Sequence, residues 1–213
     1  MARPRNDQPG PSARERMENV FWDLLAEKPF AKISVADIAK RAHVNRNALY
    51  YHFDNMSDLA RASMLDLVPF HIMFSVLPSV RNGWKPPEEL TLNPDNERRF
   101  EKLRLLFGPH SSHELTDAAQ EIILSVWLHL FEIEKEDLTP SEMLGIDFVM
   151  GGMFEIIGKI DSFSAETRHP IQLLWSSPVV REAFASIAAL LEGAKARKAG
   201  FRQPIRGENT LKQ

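Results

Sequence analysis

Apolar positions along the chain recur every three or four residues, the period of an amphipathic helix, and no stretch shows the alternation of a half-buried strand. Ala13, Met17, Val20, Phe21, Leu24 and Leu25 form the first stripe, opened by Ser12 and Glu15 as a capping box. Val35, Ile38 and Ala39 form a second over a helix of about two turns, with Ser34 and Asp37 at its start. Ala42-His43-Val44 then makes a tight connection. Asn45 is placed to cap a further short helix running to about Tyr51, with Ala48, Leu49 and Phe53 holding it to the helix before. Asn55 and Asp58 open a fourth helix, through Leu59, Ala62, Met64, Leu65 and Leu67 towards a break at Pro69.

The rest of the chain is also helical in pattern. Phe70 to Val80 reads as an apolar helix, and Val80 to Asn96, with Gly83, Pro86, Pro87 and Pro94, as an irregular connection. Glu97 to Phe107 reads as a short helix ended by Gly108-Pro109, with Phe100, Leu103, Leu106 and Phe107 inward. A long helix is expected from His113 to Glu136. Thr139-Pro140-Ser141-Glu142 is a strong start for the next, expected to reach about Ser162. Its interior holds Gly145, Gly151, Gly152 and Gly158, each costing about 1 kcal/mol relative to alanine, which suggests close approach of another helix. Ser177-Pro178 opens the last helix, on which Val180, Ala183, Phe184, Ile187, Leu190, Leu191 and Ala194 form a stripe and Lys195 to Lys198 complement the C-terminal dipole. The expected fold is therefore all-α. Its parts are a flexible arm at 1–11, a first helical domain at 12–62, a second at 63–198 and a disordered tail at 199–213.

Composition removes several classes of function. The 213 residues include no cysteine, which excludes disulfides, thiolate metal sites and catalytic thiols. No apolar run is long enough to span a membrane, and the N-terminus MARPRNDQPGPS has no signal-peptide core, so the expected location is the cytoplasm, away from any membrane. The net charge of −3 is unevenly divided: residues 1–62 hold ten Lys and Arg against eight Asp and Glu, and the remainder 16 against 21. A slightly basic head on an acidic body suits a site-specific regulator better than a bulk nucleic-acid binder. Arg3 and Arg5 give the arm a use in minor-groove contact, beside the plainer reading as a solvated tail.

The stretch Ile33 to Leu59 concentrates the chemistry. Two short helices joined by a tight turn read as a helix-turn-helix, whose second helix enters the major groove. That helix carries Asn45, Arg46, Asn47, Tyr50, Tyr51 and His52 on its exposed side and at its end, a mixture of donors, acceptors and aromatic edges suited to phosphates and base edges. The same pattern also fits a helical hairpin buried in a larger α domain.

The run from about Met17 to Ser63 resembles the DNA-binding domain of TetR-family transcriptional regulators, through Val35-Ala36-Asp37-Ile38-Ala39, Val44, Asn45, Ala48-Leu49-Tyr50-Tyr51-His52-Phe53 and Leu59. The resemblance implies an all-α homodimer whose N-terminal domain reads a double-stranded operator and whose divergent C-terminal domain dimerises and binds a small effector. It also implies that Ser34, Asn45, Arg46, Tyr51 and His52 hold phosphates and that Arg46, Asn47 and Tyr50 approach bases. There are departures from the family's pattern: His43 stands where glycine is common, Met56 where a phosphate-gripping lysine is common, and Asp54 adds a negative charge. These either weaken the affinity for DNA or place more of it on Arg46, the arm and helix-end amides.

In the body, Phe74, Phe100, Phe107, Trp127, Phe131, Met150, Met153, Phe154 and Ile157 are candidates to line an apolar effector site, with His71, His110, His129 and Glu155 as polar anchors; the alternative is plain core. For dimerisation the candidates are Ile146, Gly151, Gly152, Phe184, Ile187 and Leu191, on two terminal helices that pair with their copies in a four-helix interface; the alternative is burial of both helices within one subunit. The histidines show no metal-site spacing, and no nucleophile elbow or phosphate loop appears, so neither a metal, a cofactor nor an enzyme activity is expected. Three functions remain open: a repressor released by a small, largely apolar effector, a regulator answering to a protein partner, and a helical adaptor without DNA binding.

Overall fold

The computed structural model describes residues 10–65, 67, 94–160 and 176–201. Among these are eight α-helices and no strand: α1 (Ala13–Glu27), α2 (Val35–Arg41), α3 (Arg46–His52), α4 (Met56–Met64), α5 (Pro94–Phe107), α6 (His113–Phe131), α7 (Pro140–Gly158) and α8 (Pro178–Phe201). Single 3-10 turns lie at Phe30–Lys32 and Lys135–Asp137. Most of the arm, the expected helix Phe70–Val80 with His71 and Phe74, the connection up to residue 93 and the end of the tail lie outside the described residues.

The helices begin where local chemistry starts them. Side-chain oxygens of Ser12, Ser34, Asn45, Asn55, Ser112 and Thr139 each accept the backbone N–H three residues on, at 2.8–3.3 Å. Each such cap contributes about 1 kcal/mol. Glu15, Asp37 and Glu142 return the bond to the cap residue's own N–H and complete three capping boxes.

In the N-terminal head, Met17, Phe21 and Leu25 of α1 meet Ile38 of α2, Leu49 of α3 and Leu59 and Met64 of α4 in one apolar cluster. The head does not close on itself. Leu106 of α5 and Leu115, Ala118 and Ala119 of α6 belong to the same cluster, so a boundary at residue 62 divides the sequence without dividing the core. The second cluster gathers α5 to α8 around Phe100, Trp127, Ile146, Met150, Phe154, Ile187 and Leu191. Phe107 packs against both clusters, and its ring stacks on Phe154 at 4.0 Å and 5°.

Several helix ends differ from expectation. α6 stops at Phe131 rather than Glu136, because Glu132 takes a left-handed conformation (φ 57) and Ile133 then turns inward, its N–H donating to the Leu128 carbonyl. α5 starts at Pro94, α7 ends at Gly158 and α8 continues to Phe201. The basic residues of α8 do more than complement its dipole: Lys195 pairs with Glu132, Arg197 with Glu142 and Lys198 with Asp137, at 2.8, 2.6 and 2.6 Å. These three bridges tie the end of α8 to the connection between α6 and α7 and to the first turn of α7. Two of the four α7 glycines mark close approach. A Cβ at Gly145 would meet Leu190 at 3.3 Å, one at Gly158 would collide with the Phe107 carbonyl, and Gly151 and Gly152 face open space.

Candidate nucleic-acid interface

α2 ends in a Schellman motif: the Val44 N–H donates to the Ala39 carbonyl at 3.0 Å and the His43 N–H to the Lys40 carbonyl at 3.4 Å. The residue between helix and exit must be left-handed, and His43 supplies it at φ 53, where glycine is easiest. Arg16 holds this turn from outside. Its guanidinium donates to the Ala42 carbonyl at 3.1 Å and to the Pro11 carbonyl at 2.9 Å, so α1 fixes both the turn and the exit of the arm. Sequence reasoning missed Arg16, since nothing local links positions 26 residues apart.

The turn orients α3 with Leu49 fully buried and its opposite side outward. Asn45, Arg46 and Asn47 are exposed, Tyr50 and Tyr51 are 59% and 85% exposed, and His52 is half-buried with its ring edge-on to Tyr51. Arg46 and Tyr50, like Asn47 and Tyr51, lie one helical turn apart and share a face. The Asn45 carbonyl oxygen is taken by its cap, which leaves the amide N–H groups for an outside acceptor. Ser34 is different. Its hydroxyl donates to Asp37 at 2.7 Å, so it reaches a phosphate only by releasing that carboxylate. The bonds from Lys28 and from Ser34 hold Asp37 well below the usual carboxylate range, keeping it charged within the cap.

Most cations of the head are already paired: Arg14 with Glu18, Lys28 with Asp37, Arg41 with Glu27 and Arg61 with Glu121. Among the described residues, Lys32, Lys40 and Arg46 are exposed and have no such pair, and all three lie in or next to the helix-turn-helix. Lys32 and Lys40 also escaped the sequence reading, which took Ser34, the arm and residues at or beside α3. Of the departures, Asp54 donates its N–H to the Asp58 carboxylate at 3.1 Å, and Met56 packs on the head's core. Both therefore serve the start of α4.

Residues 22–63 match the family model described as bacterial regulatory proteins, tetR family. Those residues are a DNA-binding domain of the TetR type. Among solved structures it is similar to NalD, the secondary repressor of the MexAB-OprM multidrug efflux pump in Pseudomonas aeruginosa, at 22% identity over 77% of this chain and 94% of that one, with a TM-score of 0.46. It is also similar to the TetR family repressor AlkX from Dietzia sp. strain DQ12-45-1b, implicated in biodegradation of n-alkanes, at 18% identity over 86% and 97%, with a TM-score of 0.37. No curated protein sequence matches the chain. Proteins of that family are DNA-binding transcriptional regulators, and no described helix of this chain is long and apolar enough to cross a membrane.

The TetR-type head is bonded to the body by the turn between α5 and α6. His110 accepts the Phe30 N–H through its carbonyl at 2.9 Å, and its Nδ1 lies 2.9 Å from the Leu25 carbonyl, which requires the proton on that nitrogen. Arg61 of α4 reaches Glu121 of α6, and the Lys102 ammonium of α5 lies 5.4 Å from the centre of the Trp22 ring. His110 is thus a tie between parts. His129 and Glu155 are exposed, and Glu155 pairs with Lys159.

The candidate lining residues Phe100, Trp127, Met150 and Phe154 are buried together in the body's cluster, with Phe107 and Phe131 packed against it; Phe74 lies outside the described residues. The expected dimer residues divide. Ile146, Phe184, Ile187 and Leu191 are 8% exposed or less within their own subunit, because α7 and α8 pack on each other. These four are covered before any partner arrives. Gly151 and Gly152 do lie on the exposed side of α7, together with Leu144 and Phe148.

Proposed function

We propose that the protein is a homodimeric transcriptional repressor that binds a palindromic operator in the cytoplasm and leaves it when a small, largely apolar effector enters the body. The observation that carries this is α3, which presents Arg46, Asn47, Tyr50 and Tyr51 to solvent beside the unpaired Lys32 and Lys40. Arg46, Asn47 and Tyr50 read base edges; Asn45, Tyr51 and His52 hold phosphates, with Lys32 and Lys40 adding charge. Ser34 serves mainly its own helix.

The proposed dimer contact is the outer face of α7. Leu144 and Phe148 are 71% and 81% exposed, and the open notch at Gly151 and Gly152 lies one turn further along the same face. One face thus offers both a knob and a hole, as a two-fold interface requires. Val179 of α8 is also exposed, at 77%.

Selection of sites from random duplex DNA by the purified protein, at two salt concentrations, tests the function. An enriched inverted repeat is expected, with affinity falling as salt rises. Recovery of random sequence by folded protein would overturn it in favour of a helical adaptor. An operator complex indifferent to every small molecule but altered by a purified protein would shift control to that partner.

A further inference from the structure

Trp127 lies within α6 and is 4% exposed, and its indole Nε1 is buried without a hydrogen-bond partner, the one such side-chain atom among the described residues. A buried donor left without a partner forfeits the hydrogen bond it would make to water, and native proteins retain few. The cluster that holds Trp127 also holds Phe100, Met150, Met153 and Phe154, all apolar. The other polar groups nearby in sequence are committed elsewhere, with His129 exposed and His110 turned to Leu25. The described polar side chains that are buried, Ser63 and Asn96, are bonded to the Leu59 carbonyl and to Arg99.

Chemistry narrows what could meet this N–H. A water molecule needs two to four polar partners, and the indole offers one. A carboxylate would carry its charge into an apolar cluster, at high cost without a cation. An alkane would fill space and leave the donor as it is. An uncharged lipophile with a single oxygen acceptor satisfies both demands, and Met150 and Met153 have the rotatable bonds to part around it.

We propose that the Trp127 Nε1–H is the polar contact of the effector site, and that the effector is an uncharged, mainly apolar molecule with one oxygen acceptor, of the ketone, ester or ether kind. This rests on the effector-responsive function above and adds the ligand's chemical class. The stacked pair Phe107–Phe154 joins the same cluster to the turn carrying His110, so an occupant beside Trp127 presses on the element bonded to the head.

The test uses the full-length protein and its Trp127→Phe variant. The probes are methyl ketones of seven to thirteen carbons and the n-alkanes of matching length. Binding is followed by thermal shift and by the indole N–H resonance that the variant lacks. At least one ketone should move that resonance downfield in the wild type. It should bind the variant about tenfold more weakly and outbind its matching alkane in the wild type alone. Equal ketone affinity for both proteins, an unmoved resonance at saturation, or no binding by any ketone would overturn the proposal; should the variant not fold, the wild-type resonance and the ketone–alkane difference decide it. Release of the selected operator is scored separately. A ketone that engages Trp127 without releasing DNA keeps the site and sinks the effector-responsive function, and release by a ketone that ignores Trp127 does the reverse.

Discussion

α3 and α7 both carry large side chains into solvent, with opposite chemistry. α3 exposes Tyr50 and Tyr51 between Arg46 and Asn47, so every ring there ends in a hydroxyl or adjoins a polar neighbour. α7 exposes Leu144 and Phe148 beside two glycines, with no polar atom on any of those four side chains. Water satisfies the first surface, and a nucleic acid can replace that water donor for acceptor. It cannot satisfy the second, where covering one phenylalanine is worth roughly 1.5–3 kcal/mol. Exposure alone therefore does not identify an interface; the atoms at the tips of the exposed side chains do.

The comparison breaks first at Phe148. Phe148→Glu should weaken the dimer by about 2–4 kcal/mol, since the two-fold axis brings the change in twice. Sedimentation equilibrium reads it, and an unchanged association constant would put the interface elsewhere. Arg46→Ala tests the other surface: operator affinity should fall by about 1–3 kcal/mol, while the melting temperature and the dimer stay as they were. Loss of both affinity and dimer in this variant would mean that the two surfaces are not separate.

Acid probes the support behind α7. The Glu142 carboxyl is drawn down to about 2 from 4.5, mainly by its bonds from Arg197 and then by the Thr139 N–H. A lowered carboxyl stabilises the fold fully above its ordinary value and loses that contribution as pH falls, here between 4.5 and 2. Glu142→Gln should cost about 1.5 kcal/mol near neutrality. Its melting curve should converge with that of the wild type across the acid window, and parallel curves would argue against the pair. A smaller gain is expected from His43→Gly, about 1 kcal/mol of stability from relief of the left-handed histidine, by chemical denaturation and with DNA affinity kept. Smallest is Lys40→Ala: a flatter salt dependence of operator binding, by about one unit of slope, measured by titration at several salt concentrations. An unchanged slope would remove Lys40 from the phosphate contacts.

The parts legible in the sequence are those built from neighbours. Ser12 with Glu15, Ser34 with Asp37, Asn45 with Ala48 and Thr139 with Glu142 act across three residues, so their spacing predicts their bonds. The side of α3 that turns outward was legible too, because Leu49 and Phe53 contrast with the polar residues around them. α7 offers no such contrast. Ile146, Met150 and Met153 go inward and Leu144 and Phe148 outward, though all are apolar, and the packing of α5 and α8 decides between them. The tie made by His110 was hidden for a related reason: its partner Leu25 stands 85 residues earlier, and a histidine near aromatic residues looks the same in sequence whether it holds a ligand or a carbonyl.

The bond between His110 and the end of α1 also limits how this regulator can be taken apart. Transplanting residues 12–62 onto a foreign body would carry away the reading helix but strand the carbonyl of Leu25 and the N–H of Phe30, and would strip Leu106 and Leu115 from the core beneath them. A working graft would have to bring the α5–α6 corner as well. In this protein the smallest portable DNA reader is discontinuous in sequence.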